Sequence, residues 1–264
     1  MKCETKYLKE IEILTNRYCN LRCRFCDAWT NPINYDEIIT YNDIKKALTN
    51  IHNWLKRPLH LSLAGGESFM RQDILQIIKF AESHGFFTSV TTNGTLINKK
   101  MAQGIIKSNL SGINISIDSL DPQKHDYIRG VNGTLKRALA GLHYLNQFRK
   151  EKKDKPLWLN IATVITKLNH KDIVQLLKFV EKEGIDTIIL QPISPIFFGD
   201  RKDWYDDKLW PKTKKEQQEI CKTIDKLILL KKKNHKILNS VAQLIDMKSY
   251  FSNLDLTYQR RFWE

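Results

Sequence analysis

The chain has 264 residues, of which 42% are hydrophobic and 27% charged, and it carries a formal net charge of +14 at pH 7. This length suits one barrel-sized domain or two small ones. It contains no apolar run near the ~18 residues of a membrane helix, and its N-terminus has no apolar core of a secretory signal. Five cysteines, three of them within eight residues, argue against a disulfide framework and predict a cytoplasmic protein.

The positive charge has two interpretations: attraction to a polyanion or acidic substrate, or a lysine-rich solvated surface. Many lysines lie on apparent helices beside acids, and the run Lys231 to Lys233 suits a helix C-terminus. No arginine-rich stripe interleaved with aromatic residues is present. The solvated surface is therefore favoured, and nucleic acid is an unlikely partner.

Short apolar runs alternate along the chain with amphipathic stretches, and several of the stretches end at glycine or asparagine, as at Gly85, Asn109 and Gly184. The predicted strands are Leu8–Leu14, Leu59–Leu63, Thr88–Thr92, Ile113–Ile117, Leu157–Ile165 and Thr187–Leu190. The predicted helices between them are Tyr41–Leu55, Gln72–His84, Lys99–Ser108, Leu135–Lys150 and His170–Glu183.

Repetition of strand and helix predicts an α/β fold with a parallel sheet. Six units are fewer than the eight of a complete barrel, so an open barrel and a doubly wound sheet both fit the pattern. After Pro192 the sequence becomes irregular, with Trp204 and Tyr205, and two helices follow at about Lys214–Lys232 and Ser240–Phe251. We therefore divide the chain into a domain of residues 1–195 and a helical extension of residues 196–264.

Three cysteines follow the first strand, Cys19, Cys23 and Cys26. One interpretation is structural zinc, which usually takes four protein ligands, but no histidine lies in this loop and the other cysteines are distant. The favoured interpretation is an iron–sulfur cluster held at three irons, with the fourth open to a reactant.

The spacing Cys19-x3-Cys23-x2-Cys26, with Phe25 before the last cysteine, resembles the signature of the radical S-adenosylmethionine (SAM) superfamily. Further motifs extend the resemblance from about Tyr7 to Pro192. It implies a partial (β/α)6 TIM-like barrel with a C-terminal helical extension. It also implies two cofactors, a [4Fe-4S] cluster and S-adenosyl-L-methionine.

Two glycine-containing motifs after strands are carried over from this resemblance. Gly65, Gly66 and Glu67 match the motif that binds the amino group of SAM, although a glycine pair alone more often marks a turn. Asn93 begins an Asn-Gly pair typical of a tight turn, and the resemblance adds a polar wall near the cofactor or substrate.

The fourth strand places Asn114, Ser116 and Asp118 on one face, since side chains alternate. The resemblance implies that Ser116 contacts the methionyl part of SAM and that Asp118 binds ribose or substrate; Asp121, before Pro122, fits a helix cap better. Arg129, in a His-Asp-x-x-Arg-Gly stretch, is the candidate for the SAM carboxylate, a surface salt bridge being the alternative.

Gln191, at the end of the sixth strand, is expected to face adenine or substrate. The His-Asp-x-x-Arg-Gly stretch is similar to that of the subgroup with the molybdenum-cofactor cyclase and the SPASM/twitch peptide-modifying enzymes. Relatives in that subgroup often carry a C-terminal cysteine-rich auxiliary-cluster domain, and Cys221 is the only cysteine after Cys26. We expect either a natural short form or truncation before such a domain, and no peptide-recognition domain before the barrel.

The resemblance implies reductive cleavage of SAM by an electron donor such as flavodoxin or ferredoxin, and hydrogen abstraction by a 5′-deoxyadenosyl radical. A peptide or protein side chain is the favoured substrate. A small molecule or nucleotide in cofactor biosynthesis is the alternative, and a basic, metal-stabilised nucleic-acid-binding module is a distant third.

Overall fold

The structure is a computed structural model, and it describes residues 8–29, 39–152, 154–194 and 208–254. Six strands form one sheet in the order β1-β2-β3-β4-β5-β6, and the first four pair in parallel. Their bounds are β1 Glu10–Asn16, β2 Leu59–Gly65, β3 Phe86–Thr92, β4 Gly112–Ser116, β5 Trp158–Ile165 and β6 Thr187–Pro192.

The strand order decides between the two architectures that the sequence left open. A doubly wound sheet reverses direction after its first strands, whereas here every strand lies beside the next one in the sequence. Sequential order is the winding of a (β/α) barrel. The predicted α/β fold, a partial TIM-like barrel followed by helices, is confirmed.

Helices α1 to α6 connect or follow the strands, and α7 and α8 form the C-terminal extension. Asp121 caps α4 through the backbone N–H of Gln123, with Pro122 in the first turn, as the sequence predicted. The bounds are α1 Tyr41–Leu55, α2 Ile74–Ser83, α3 Lys99–Lys107, α4 Pro122–Arg129, α5 Thr134–Glu151, α6 Ile173–Lys182, α7 Lys214–Lys232 and α8 Val241–Ser252.

Left-handed backbone conformations occur where the sequence predicted helix ends. Gly85, Asn109 and Gly184 have φ of 78°, 62° and 69°. This conformation turns the chain away from the helix axis and suits glycine and asparagine.

The chain forms two compact units. The first contains the described residues of Met1–Leu21, Ala28–Ser116 and Lys136–Asn160, and the second those of Arg22–Asp27, Ile117–Leu135 and Ile161–Glu264. In the second unit, the segment before α8 extends the sheet, because Ile188 donates its N–H to Lys236 and Leu238 donates to Ile188. The predicted domain boundary at residue 195, together with Trp204 and Tyr205, lies outside the described residues.

No helix among the described residues is both long enough and apolar enough to cross a membrane.

Candidate cofactor site

The cysteine loop alternates between buried and exposed side chains. Leu21, Cys23 and Phe25 are buried, whereas Arg22 and Arg24 are exposed. The Cys23 side chain is therefore directed to the protein interior, with 8% of its surface exposed. In the second unit, the N–H of Cys26 donates to the carbonyl of Cys23 at 3.3 Å and closes a turn.

The end of helix α4 holds this loop in the second unit. The backbone N–H groups of Arg22 and Arg24 donate to the carbonyls of Arg129 and Ile128 at 3.2 and 2.9 Å. These carbonyls lie in the last turn of α4, where backbone acceptors lack partners inside the helix. The His-Asp-x-x-Arg-Gly stretch thus clamps the cysteine loop.

Gly130 makes the clamp possible. It ends α4 with φ of 72°, and a Cβ placed on it would lie 2.0 Å from the carbonyl oxygen of Arg22. A side chain here would meet both backbone strain and a steric clash. Glycine is therefore required at this position by close approach of the loop.

Arg129 and Asp118 form a buried ion pair. Arg129 Nε lies 2.6 Å from Asp118 Oδ2, and the two side chains are 8% and 0% exposed. The Arg129 guanidinium also lies over the Phe25 ring, 5.2 Å from its centroid. Burial lowers the pKa of Arg129, but the charges of Asp118 and Cys23 and hydrogen bonds to both side chains offset it, so this pKa lies above its usual value. The sequence assigned Arg129 to the SAM carboxylate and Asp118 to ribose or substrate. The structure pairs the two side chains with each other, and their cofactor or substrate contacts remain a prediction.

His125 supports Asp118 from the first half of α4. The N–H of Asp118 donates to His125 Nδ1 at 3.1 Å, while Asp118 Oδ1 accepts from the N–H of Val164 at 3.1 Å. Burial lowers the pKa of His125 to about 4, so the ring is neutral at pH 7 with its proton on Nε2. That buried Nε2 has no hydrogen-bond partner among the described residues.

The two glycines after β2 bring it against the chain that leads to Cys19 in the first unit. A Cβ on Gly65 would lie 2.3 Å from the carbonyl oxygen of Asn16, and one on Gly66 would lie 2.0 Å from that of Tyr18. Gly66 and Glu67 donate their N–H groups to these same carbonyls, at 2.8 and 2.6 Å. Close approach of two backbones therefore accounts for both glycines.

Glu67 joins the ends of β2 and β3. Its carboxylate is fully buried and accepts hydrogen bonds from Phe69 N–H at 3.1 Å, Thr92 Oγ1 at 2.7 Å and Asn93 N–H at 2.8 Å. Its carbonyl accepts from Asn16 Nδ2 at 3.0 Å. The carboxylate thus positions Asn93, and the predicted contact of Glu67 with the SAM amino group remains untested. Asn16 and Thr92 belong to this network although the sequence did not single them out; a polar residue at the end of an apolar strand was the available signal.

Asn93 lies beside the first cysteine. Its Nδ2 is 2.8 Å from Asn20 Oδ1 and 4.0 Å from Cys19 Sγ, and its Oδ1 accepts from Thr95 N–H at 2.9 Å. Cys19 Sγ also accepts from the N–H of Leu21 at 3.4 Å. Asn93 forms the predicted turn and also faces a cysteine. This position is compatible with both predicted roles, the tight turn and the polar wall near the cofactor or substrate.

Ser116 and Gln191 lie where the sequence placed them, at the carboxyl ends of β4 and β6. Ser116 is 9% exposed in the first unit, and Gln191 is exposed in the second. Their contacts with a cofactor remain predictions.

The donors around the cysteines suit the sulfurs of an iron–sulfur cluster. Within the described ranges, no three His, Cys, Asp or Glu side chains are grouped to hold one metal ion. N–H donors instead face sulfur: Leu21 and Asn93 at Cys19, and Arg129 at Cys23. Such donors commonly surround the sulfurs of iron–sulfur clusters. Cys19, Cys23 and Cys26 as its ligands remain a prediction.

Known proteins match most of the chain. A family model described as the radical SAM superfamily matches residues 13–180. An Fe-coproporphyrin III synthase of Methanosarcina barkeri is 28% identical over 172 residues, covering 65% of this chain and 41% of that protein. A probable GTP 3′,8-cyclase of Thermococcus kodakarensis is 29% identical over 185 residues, covering 70% and 57%.

The fold matches solved structures as well. The crystal structure of Streptococcus suis SuiB bound to SAM superposes with a TM-score of 0.65 at 22% identity, over 84% of this chain and 48% of SuiB. The chain spans less than two thirds of the length of each of these relatives. Because the family model covers residues 13–180, more than half of the chain, the protein belongs to the radical SAM superfamily, whose enzymes use a [4Fe-4S] cluster and SAM.

Proposed function

We propose that the protein is a radical SAM enzyme that abstracts hydrogen from a peptide or protein side chain. The observation that carries the proposal is the environment of the cysteines. Asn93 Nδ2 lies by Cys19 Sγ in the first unit, and Arg129 pairs with Cys23 in the second. Each donor comes from a motif that the family resemblance singled out, so the residues around the cysteines have the chemistry that the cofactor needs.

In this proposal Cys19, Cys23 and Cys26 hold the cluster, and Gly65 to Glu67, Asn93, Ser116 and Arg129 surround SAM. When bound, these cofactors supply a radical that abstracts hydrogen. The chain's own contribution is positional: Glu67 fixes Asn93, and Asp118 fixes Arg129. Buried side chains also exclude water, which protects a reactive species from side reactions. A reducing cytosol and a flavodoxin or ferredoxin as electron donor complete the proposal.

A peptide substrate is supported by the structural neighbours. SuiB, which shares the fold, is also known in a crystal structure bound to its precursor peptide SuiA. The polar face of the sheet, with Glu12, Thr91 and Asn114 at least partly accessible, also suits an extended, hydrogen-bonding ligand. The alternative is a small molecule, which is favoured by the names of the curated relatives, a coproporphyrin synthase and a GTP cyclase.

One experiment separates the two substrate classes. The reconstituted enzyme is incubated anaerobically with SAM and dithionite, in separate reactions with the peptides encoded beside its gene, with nucleotides and with tetrapyrroles. Peptide mass and 5′-deoxyadenosine are measured in each reaction. We expect a mass change in one peptide together with deoxyadenosine. Deoxyadenosine that rises only with nucleotides or tetrapyrroles, while every peptide mass stays constant, would establish the alternative. A Cys23→Ala protein is the matched control for cluster-independent changes.

A further inference from the structure

One face of the sheet in the first unit is unusually polar. Side chains alternate along each strand, so that Leu61, Val90 and Ile113 are buried on one face. The opposite face carries polar side chains of different burial: Glu12 is exposed, Thr91 and Asn114 are half-buried, and Ser62 and Asn160 are buried. Parallel strands normally read as apolar on both faces because both are covered. The polar face is therefore not explained by folding alone.

These polar side chains form two short rows across neighbouring strands. Glu12 lies opposite Ser62 in the register, and Ser62 Oγ donates to Glu12 Oε2 at 3.4 Å. In the second row, Asn160 Nδ2 donates to Asn114 Oδ1 at 3.1 Å, and Asn114 Nδ2 is 3.4 Å from Thr91 Oγ1. The rows hold a carboxylate and several amide and hydroxyl groups in fixed positions on one surface.

Glu12 and Leu14 form a pair of unlike exposed groups within this face. Leu14 is 61% exposed although it is a large apolar residue in a strand, and it lies opposite the small Ala64. Glu12, two residues earlier on the same face, is also exposed. Residues two apart in a strand are separated by roughly 6.6 Å. An apolar surface followed at that distance by a carboxylate matches the aliphatic stem and cationic head of a lysine or arginine side chain.

We propose that this face binds a basic side chain of the substrate peptide, with its charged head on Glu12 and its aliphatic stem against Leu14. The inference rests on the proposed peptide substrate and names the substrate residue. The chain runs from Glu12 through Leu14 toward Cys19, so Leu14 is nearer to the carboxyl end of the strand. Asn93 and Ser116 follow or end their strands at that same end. The stem, rather than the head, therefore points to the cofactor residues.

The amide row has a second role in this binding mode. Thr91, Asn114 and Asn160 offer donors and acceptors on β3, β4 and β5, on the same face of the sheet as Leu14 and Ala64 of β1 and β2. Peptide groups need hydrogen-bond partners when they leave water. The row thus fixes the peptide chain, while Glu12 selects the side chain.

Equilibrium binding of synthetic peptides tests the inference without any turnover. The probes are fluorescent peptides that differ only at one central residue: lysine, arginine, norleucine or glutamate. They are titrated into the cofactor-loaded enzyme without reductant, and anisotropy is measured. We expect the wild type to bind the lysine and arginine peptides about tenfold more tightly than the norleucine peptide. Glu12→Gln should abolish that difference, and Glu12→Lys should favour the glutamate peptide.

Glu10→Gln is the matched control. Glu10 lies on the same strand and face, but its carboxylate is paired with His60 at 3.1 Å and it is farther from Leu14. This variant should keep the preference for basic peptides. Equal affinity of the wild type for all probes, a preference that survives Glu12→Gln, or an equal loss in Glu10→Gln would overturn the inference. Because the measurement needs no SAM cleavage, these outcomes are separate from failure of the proposed reaction, which the deoxyadenosine assay reports.

Discussion

Arg129 and Asp118 are joined by a 2.6 Å contact between two buried side chains in the second unit. The arginine also pairs with Cys23, and the aspartate is held by the N–H of Val164. A buried charge that loses its partner is strongly destabilising. The pair therefore connects the position of the cysteine loop to the stability of the unit that contains it.

Removing the charge of Asp118 should destabilise the protein because Arg129 then stays buried with a weaker partner. We expect Asp118→Asn to lower the free energy of unfolding by roughly 3 to 5 kcal/mol in urea titrations of the apoprotein. Asp172→Asn is the control, since Asp172 pairs with Lys124 with side chains 18% and 32% exposed. That variant should lose only about 1 kcal/mol. If both variants lost the same free energy of unfolding, burial would not make the Asp118–Arg129 pair more important for stability than the Asp172–Lys124 pair.

Gly130→Ala should detach the cysteine loop, because the new Cβ would meet the carbonyl of Arg22. Iron and sulfide content after anaerobic reconstitution measures this effect, and we expect it to fall several-fold. Gly184→Ala is the control: it has a similar φ of 69°, but nothing lies within 4 Å of its added Cβ. It should lose about 1 kcal/mol of stability and keep its iron. Full iron content in Gly130→Ala would contradict the clamp.

Glu67→Gln should reduce SAM binding as well as stability. The carboxylate accepts hydrogen bonds from two N–H groups and one hydroxyl, and the amide would turn its own N–H donors toward some of them. We expect this clash of donors to lower the free energy of unfolding by roughly 3 kcal/mol. Glu82→Gln offers a comparison, because Glu82 is also buried and accepts from Thr88 N–H, Ser111 N–H and Lys155. Both variants should unfold more easily, but equilibrium dialysis should show weaker SAM binding only for Glu67→Gln. If both variants bind SAM equally well, Glu67 has only a structural role.

The lowered pKa of His125 leads us to expect that the protein loses stability as the pH falls. Its folded-state pKa of about 4 lies below the ordinary value of 6.5, mainly through burial and also through Arg129, while Asp118 and Asp126 oppose the shift. The unfolded chain binds the proton first as the pH falls, so stability present above pH 6.5 is lost between about 6.5 and 4, by up to about 3 kcal/mol. His125→Asn, whose amide oxygen can replace Nδ1, should flatten this part of the stability curve. His170→Asn is the comparison variant, because His170 is also buried and burial also lowers its pKa. An unchanged slope in His125→Asn would refute the assignment.

Cys23→Ala should abolish both the brown colour of the reconstituted protein and SAM cleavage, because two thiolates cannot replace three. Cys221→Ala, in α7 and outside the cysteine loop, should keep both properties. Absorbance of the cluster and release of deoxyadenosine measure the two effects. A Cys23→Ala protein that retains colour and cleavage would exclude this residue as a ligand.

The sequence by itself determined the order and type of most elements and the residues at the strand ends, although α4 was not among the predicted helices. Hydrophobic periodicity located all six strands, and Asp121 with Pro122 predicted the cap at which α4 starts, because these signals act over a few neighbouring residues. The spacing of Cys19, Cys23 and Cys26 is equally local. The family was therefore recognisable without coordinates.

Only the tertiary structure decided which of these residues meet. Six βα units fit two windings until the strand order was known. Period-two alternation placed Asp118 on a face but could not show that Arg129, eleven residues later, is its partner. It also left undetected the carboxylate of Glu12 beside Ser62, fifty residues away in the sequence. Such pairs depend on how strands and helices pack, and their energies come from burial and hydrogen bonding between segments that no local pattern connects.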